Sequence, residues 1–73
     1  MKSKINLGKN IKYLRESVHL DQQQLADKLN VSRSTLACWE NEIRIPKLDK
    51  IVEIAIFFKT DMNIICNDLS KEE

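Results

Sequence analysis

Residues 21–41, DQQQLADKLNVSRSTLACWEN, read as two short helices joined by a tight turn. In the first, Leu25, Ala26 and Leu29 fall at the i, i+1, i+4 spacing that makes one apolar stripe. Asn30 and Val31 interrupt it. Ser32 has the side chain of a helix N-cap, and Leu36 and Trp39, three apart, give the second helix its inner side. What remains on that second helix is Arg33, Ser34, Ala37 and Cys38, short or cationic side chains with no carboxylate before Glu40. A helix that only faces water more often carries long charged pairs. This one is narrow enough to enter a major groove and has hydrogen-bonding groups at its N-terminal end.

On the N-terminal side, Leu7, Ile11, Leu14 and Val18 are spaced four, three and four apart, which predicts an amphipathic helix running to about Val18. Lys9, Lys12, Tyr13 and Glu16 take its outer side, and Arg15, directly after Leu14, belongs at the edge of the core. Lys2 to Asn6 is a polar lead-in. Asp21 is a candidate cap, Asp21 with Gln24 has the spacing of a capping box, and Leu20 with Leu25 that of a hydrophobic staple.

On the C-terminal side, the irregular stretch NEIRIPKLDK (41–50) contains Pro46, which fits at or just before the first residue of a new helix. Leu48, Ile51, Val52, Ile54, Ala55 and Phe58 are expected to form a broad inward face, which Ile56 and Phe57 extend. That breadth predicts the central helix, buried on several sides. Lys59 and Thr60 end it, Asp61 caps the next, and Met62, Ile64, Ile65 and Leu69 predict a short fifth helix. Period-2 alternation never persists, which argues against a sheet. The expectation is a single all-α domain over residues 1–73, five helices, with an ordered core of about 5–69.

Composition narrows the function classes. The 73 residues are 42% hydrophobic, enough to fold and close to the lower limit for an unaided core. Cys38 and Cys66 form no CxxC, which weakens metal and redox-motif readings. The longest apolar run, Ile54 to Phe58, is too short to cross a membrane, and no apolar signal segment follows the first lysines. A cytoplasmic location is the default expectation. Net charge is only +1, but Met1 to Leu36 carries +4 and Ala37 to Glu73 carries −3. Such a polarised chain can present one basic face to phosphates. His19, the lone histidine, has no metal-binding neighbours, and neither a Ser–His–Asp arrangement nor a Gly-rich phosphate loop is present. No enzyme activity, cofactor, metal or small-molecule ligand is expected.

The segments LGKNIKYLRE (7–16), QQLADKLNVSRSTLACWEN (23–41), IPKLDKIVEIAIFF (45–58) and TDMNIIC (60–66) together resemble the repressor-type helix-turn-helix family of Cro-like and lambda-repressor-like DNA-binding domains. The resemblance covers nearly the whole chain in order. It implies a compact five-helix fold with the helix-turn-helix at helices 2 and 3, binding to operator DNA as a two-fold dimer, and a role in transcription. It further implies that Gln22 meets a backbone phosphate, that Arg33, Ser34 and Cys38 face base edges, and that Arg15 and Glu40 form an internal ion pair. The chain departs from the family at three places usually held by glycine, which here are His19, Asn30 and Glu42. If the backbone keeps the family course, all three adopt positive φ, readily for Asn, acceptably for His and at roughly 1 kcal/mol or more for Glu. Two paths therefore stay open around Glu42.

Arg33, Ser34, Ala37 and Cys38 are placed at base edges, Arg being the commonest bidentate reader of guanine. Gln22, Gln23, Thr35, Asn41, Arg44, Lys47 and Lys12 are placed at phosphates. Ile43, Ile45, Pro46, Met62, Ile65 and Leu69 are apolar beyond what a small core needs, and are placed in a homodimer interface. The function read from the sequence is a sequence-specific regulator of transcription, a repressor or autoregulator, binding palindromic double-stranded operator DNA. The alternative is a protein-interaction module on the same scaffold, with DNA contact secondary.

Overall fold

The computed structural model describes residues 7–61 and residue 65. Four helices lie among them: α1 (Leu7–Ser17), α2 (Gln22–Leu29), α3 (Arg33–Glu40) and α4 (Leu48–Phe57). Two of the starts carry a side-chain cap. Asp21 caps α2 by accepting from the Gln24 N–H at 2.8 Å, while the Gln24 side chain accepts from the Asp21 N–H at 2.8 Å, a complete capping box. The Ser32 hydroxyl accepts from the Thr35 N–H at 3.0 Å and so caps α3. Lys47 occupies the N-cap of α4, with Pro46 one residue earlier.

All four helices end alike. A non-glycine residue turns left-handed, at His19 (φ 62°), Asn30 (63°), Glu42 (61°) and Lys59 (55°). The N–H of the following residue then donates five residues back: Leu20 to Arg15, Val31 to Ala26, Ile43 to Cys38 and Thr60 to Ala55, at 2.9–3.2 Å. The path at Glu42 therefore matches the other three, although glutamate has no intrinsic liking for it. Its carboxylate gains something in return, because Oε2 accepts from the Lys9 N–H in the first turn of α1 at 3.3 Å.

Ile11, Leu25, Leu29, Leu36, Ile54 and Ile65 are fully or almost fully buried, with Leu7, Ala26, Trp39 and Ala55 around them. Gly8 admits the end of α3 against α1: a Cβ there would lie 2.1 Å from the Trp39 carbonyl oxygen. Asn10, buried beneath the same layer, donates through Nδ2 to the Ile65 carbonyl.

Several sequence expectations change. Val18 lies beyond the end of α1 and is half exposed, because the chain turns at His19. The expected broad inward face of α4 is narrow: Ile54 and Ala55 are buried and Ile51 and Phe58 half-buried, the i, i+3, i+4, i+7 stripe. Leu48, Val52 and Ile56 form a second stripe beside it that stays exposed, so α4 is not the central helix. Ile65 is completely buried, and its side chain belongs to the core of its own chain rather than to a partner surface. The remaining apolar residues of the expected fifth helix, Met62, Ile64 and Leu69, lie outside the described residues. The Ile65 N–H does donate to the Asp61 carbonyl at 3.2 Å, a helical bond at the expected start.

Candidate nucleic-acid interface

Two short helices meeting at a tight turn leave one side of α3 outside. Arg33 and Ser34 on that side are exposed, and Ala37 and Cys38 are partly so. The inner side is closed by Leu36 and Trp39, and the acid of the helix, Glu40, is turned inward with them. Its carboxylate receives the Arg15 guanidinium as a fork, Nε to Oε2 at 2.7 Å and Nη2 to Oε1 at 3.0 Å. The remaining Arg15 nitrogen, Nη1, donates to the Leu20 carbonyl at 2.8 Å, which pins the turn between α1 and α2. Hydrogen bonding to Glu40 holds the Arg15 pKa above its ordinary value, against the opposing effect of burial. By burying and neutralising Glu40, the pair leaves the outer face of α3 without a negative charge.

A groove runs beside that face, bordered by Ser34, Thr35, Cys38, Arg44, Lys47 and Lys50. Asp49, the acid that also lines it, is occupied by the Lys50 backbone N–H at 3.0 Å. The structure thus brings Ser34, Thr35, Cys38, Arg44 and Lys47 together along one surface. Gln22 sits at the first position of α2 and reaches α3 from the side: Nε2 donates to Glu40 Oε1 at 3.1 Å, and Oε1 accepts from Arg33 Nη1 at 3.3 Å. Gln23 is turned along its own helix to Asp27 Oδ1 at 2.9 Å, and the Thr35 hydroxyl accepts from Ser32 at 2.9 Å. Asn41 is exposed at the C-cap of α3, and Lys12 is exposed on α1, outside the groove lining.

Ile43 and Ile45 are 70% and 78% exposed, whereas Pro46 is buried. Pro46 lines the groove, and its burial leaves it little to offer a partner.

Sequence reasoning missed Lys50 and the link between Gln22 and Glu40. Lys50 lies three residues beyond Lys47 at the start of α4, a spacing that was legible. Its Nζ donates to the Leu29 carbonyl at 2.8 Å, closing the C-terminus of α2. Gln22 and Glu40 are 18 residues apart, and no local pattern connects them. Among the described residues, no helix is long and apolar enough to cross a membrane and no group of three His, Cys, Asp or Glu could hold a metal.

Comparison with known proteins agrees with this geometry. The chain is 36% identical, over 59 residues, to the ImmF control region 10 kDa protein of Bacillus phage phi105; the match covers 81% of this chain and 66% of that protein. The solution structure of the DNA-binding domain of the P22 c2 repressor superposes with a TM-score of 0.83 at 19% identity, covering 100% of this chain and 96% of that one. The crystal structure of the P22 c2 repressor with a synthetic operator superposes at 0.77, with 16% identity over 86% of this chain and 94% of that one. Residues 11–65 match the helix-turn-helix family. With its capped two-helix unit, its acid turned inward and its outer face left to small and cationic side chains, this chain is a member of that helix-turn-helix family.

Proposed function

We propose that the protein regulates transcription by binding palindromic double-stranded DNA as a homodimer, α3 lying in the major groove. The observation that carries this reading is the fate of Glu40: its burial against Arg15 clears α3 of negative charge where DNA would approach. Arg33, Ser34, Ala37 and Cys38 then meet base edges, and Gln22, Thr35, Asn41, Arg44 and Lys47 meet phosphates on either side. Gln23 and Lys12 are peripheral members of the phosphate set. A relative named for a phage control region and a like-folded repressor solved with operator DNA support the same assignment, and a cytoplasmic location belongs to this reading.

Arg33→Ala is expected to cost about 1–3 kcal/mol on the preferred duplex and to relax preference at one or two base pairs. Lys47→Ala is expected to weaken every duplex about equally and to lower the salt slope by about one unit. Selection from random duplexes, then titration of specific and scrambled sites at several salt concentrations, measures both. Equal weak affinity for all sequences would refute DNA reading and favour the protein-interaction module.

Assembly is assigned to Ile43 and Ile45. In helix ends of this kind, the residue after the left-handed one normally packs back on the helix, as Leu20 and Val31 do here. Ile43 occupies the same place yet stays exposed, beside Ile45 and the exposed Leu48. One recognition helix samples too few base pairs for operator-grade specificity, and a two-fold pair places two helices roughly 34 Å apart on one face of the duplex. Sedimentation equilibrium should find reversible dimers at micromolar concentration, and Ile43→Lys should shift them to monomers without unfolding them. A wild-type protein that is monomeric throughout and binds half-sites independently would remove the dimer.

A further inference from the structure

Glu40 accepts three hydrogen bonds, two from Arg15 and the third from Gln22 Nε2 at 3.1 Å. A carboxylate has no proton to donate, so it admits one orientation of the Gln22 amide: the nitrogen inward and the carbonyl outward. The outward Oε1 receives Arg33 Nη1 at 3.3 Å. A flipped amide would set carbonyl against carboxylate on the inside and NH2 against guanidinium on the outside. Both ends therefore select the same orientation. Among the described residues, Gln22 is the one hydrogen-bond acceptor that Arg33 meets, and Arg33 is otherwise an exposed side chain on the first turn of α3.

We propose that Glu40 is a positioning residue for base recognition: it fixes the polarity of the Gln22 amide, whose carbonyl aims Arg33. This rests on the reading of Arg33 as a base contact. In the free protein the Gln22–Arg33 bond is long and solvated, and contributes little to stability. At a protein–DNA surface, with water displaced, the same acceptor restricts how the guanidinium fork can turn, which is what bidentate reading of a base requires. The second Nε2 hydrogen of Gln22 remains available to a phosphate, so one amide plane joins backbone docking to the aim of Arg33. The Arg15–Glu40 pair, buried behind them, thereby reaches the base edge without touching it.

The test measures discrimination at each base pair of a selected site for wild type, Arg33→Ala, Glu40→Gln, Gln22→Met and the double variant Glu40→Gln/Gln22→Glu. Glu40→Gln lets the position-22 amide take either orientation. It should lower discrimination about three- to tenfold at the base pair that Arg33→Ala affects, and leave the other base pairs in place. The double variant restores an acceptor for Arg33, now a carboxylate held by the introduced amide. It should recover discrimination at that base pair while binding all duplexes more weakly, since the carboxylate faces phosphates. In the free protein, 15N relaxation at Arg33 Nε should report greater mobility in Glu40→Gln. If Glu40→Gln does not fold, Gln22→Met decides, because it leaves the Arg15–Glu40 pair intact. Full discrimination in folded Glu40→Gln or Gln22→Met, with Arg33→Ala still harmful, would overturn this inference alone. An Arg33→Ala protein with unchanged preferences would overturn the base-contact reading and this inference with it.

Discussion

Arg15→Ala should lose about 3–5 kcal/mol of folding stability, the cost of stranding a buried charge rather than the net worth of the pair. The side chains of Arg15 and Glu40 are only 10% and 2% exposed, so water cannot replace the missing guanidinium. Glu40 would keep one donor, Gln22 Nε2, and the Leu20 carbonyl would lose the Arg15 bond that pins the α1–α2 turn. A 73-residue domain is typically stable by about 4–11 kcal/mol, so this single change removes a large share of the margin. Glu40→Ala should cost a comparable amount, since a guanidinium does not give up its proton in a protein and Arg15 would stay a buried charge without its partner. Denaturant unfolding of the two single variants and the double variant forms the cycle. The double variant should be more stable than the sum of single losses allows, by about 0.5–3 kcal/mol, and little affected by salt. A cycle that closes at zero would mean that the two side chains act independently.

The second large effect is expected at Gly8. In a helix interior, glycine to alanine ordinarily stabilises by about 0.5–1 kcal/mol. Here the sign should reverse. The added methyl would sit 2.1 Å from the Trp39 carbonyl oxygen and 2.9 Å from both the Glu40 carbonyl oxygen and Glu42 Cγ. Two of those neighbours are backbone at the end of α3, which cannot rotate away as a side-chain tip can. α1 must back off, loosening the fork between Arg15 and Glu40 as well as the Lys9 N–H bond to Glu42. A loss of about 2–3 kcal/mol is expected in urea unfolding, from overpacking alone. An unchanged or raised midpoint would mean that the crossing of α1 and α3 is looser than these distances require.

What the sequence made legible was local. Asp21 with Gln24 as a capping box and Ser32 as an N-cap declare helix starts, and both caps are formed. Leu25, Ala26, Leu29, Leu36 and Trp39 read as core and are buried, since a helix of known period leaves little freedom about which side they share. Failures came where period alone had to judge amount. Leu48, Val52 and Ile56 are as apolar as Ile51 and Ile54, and sequence cannot tell a stripe against the core from one a turn away from it. The apolar run Met62, Ile64, Ile65 and Leu69 reads as more than a short terminal segment can bury, which puts Ile65 at a surface, whereas its side chain is completely buried in the core. The candidate site was legible as a roster of α3 residues. Its wiring, from Arg15 through Glu40 and Gln22 to Arg33, joins residues far apart in the chain and becomes visible only once the helices are docked.

The four left-handed helix ends also bear on the denatured chain. His19, Asn30, Glu42 and Lys59 stand where glycine would relieve a strain of about 1–2 kcal/mol at each ordinary side chain. Glycine at those places would enlarge the ensemble of unfolded conformations, an entropic gain for the unfolded state of about 0.4–1 kcal/mol each. The two effects oppose one another, so up to about half of the native strain is matched by an unfolded chain with less freedom to lose. With its one glycine inside α1, this protein enters folding with a comparatively stiff backbone at these four described helix ends.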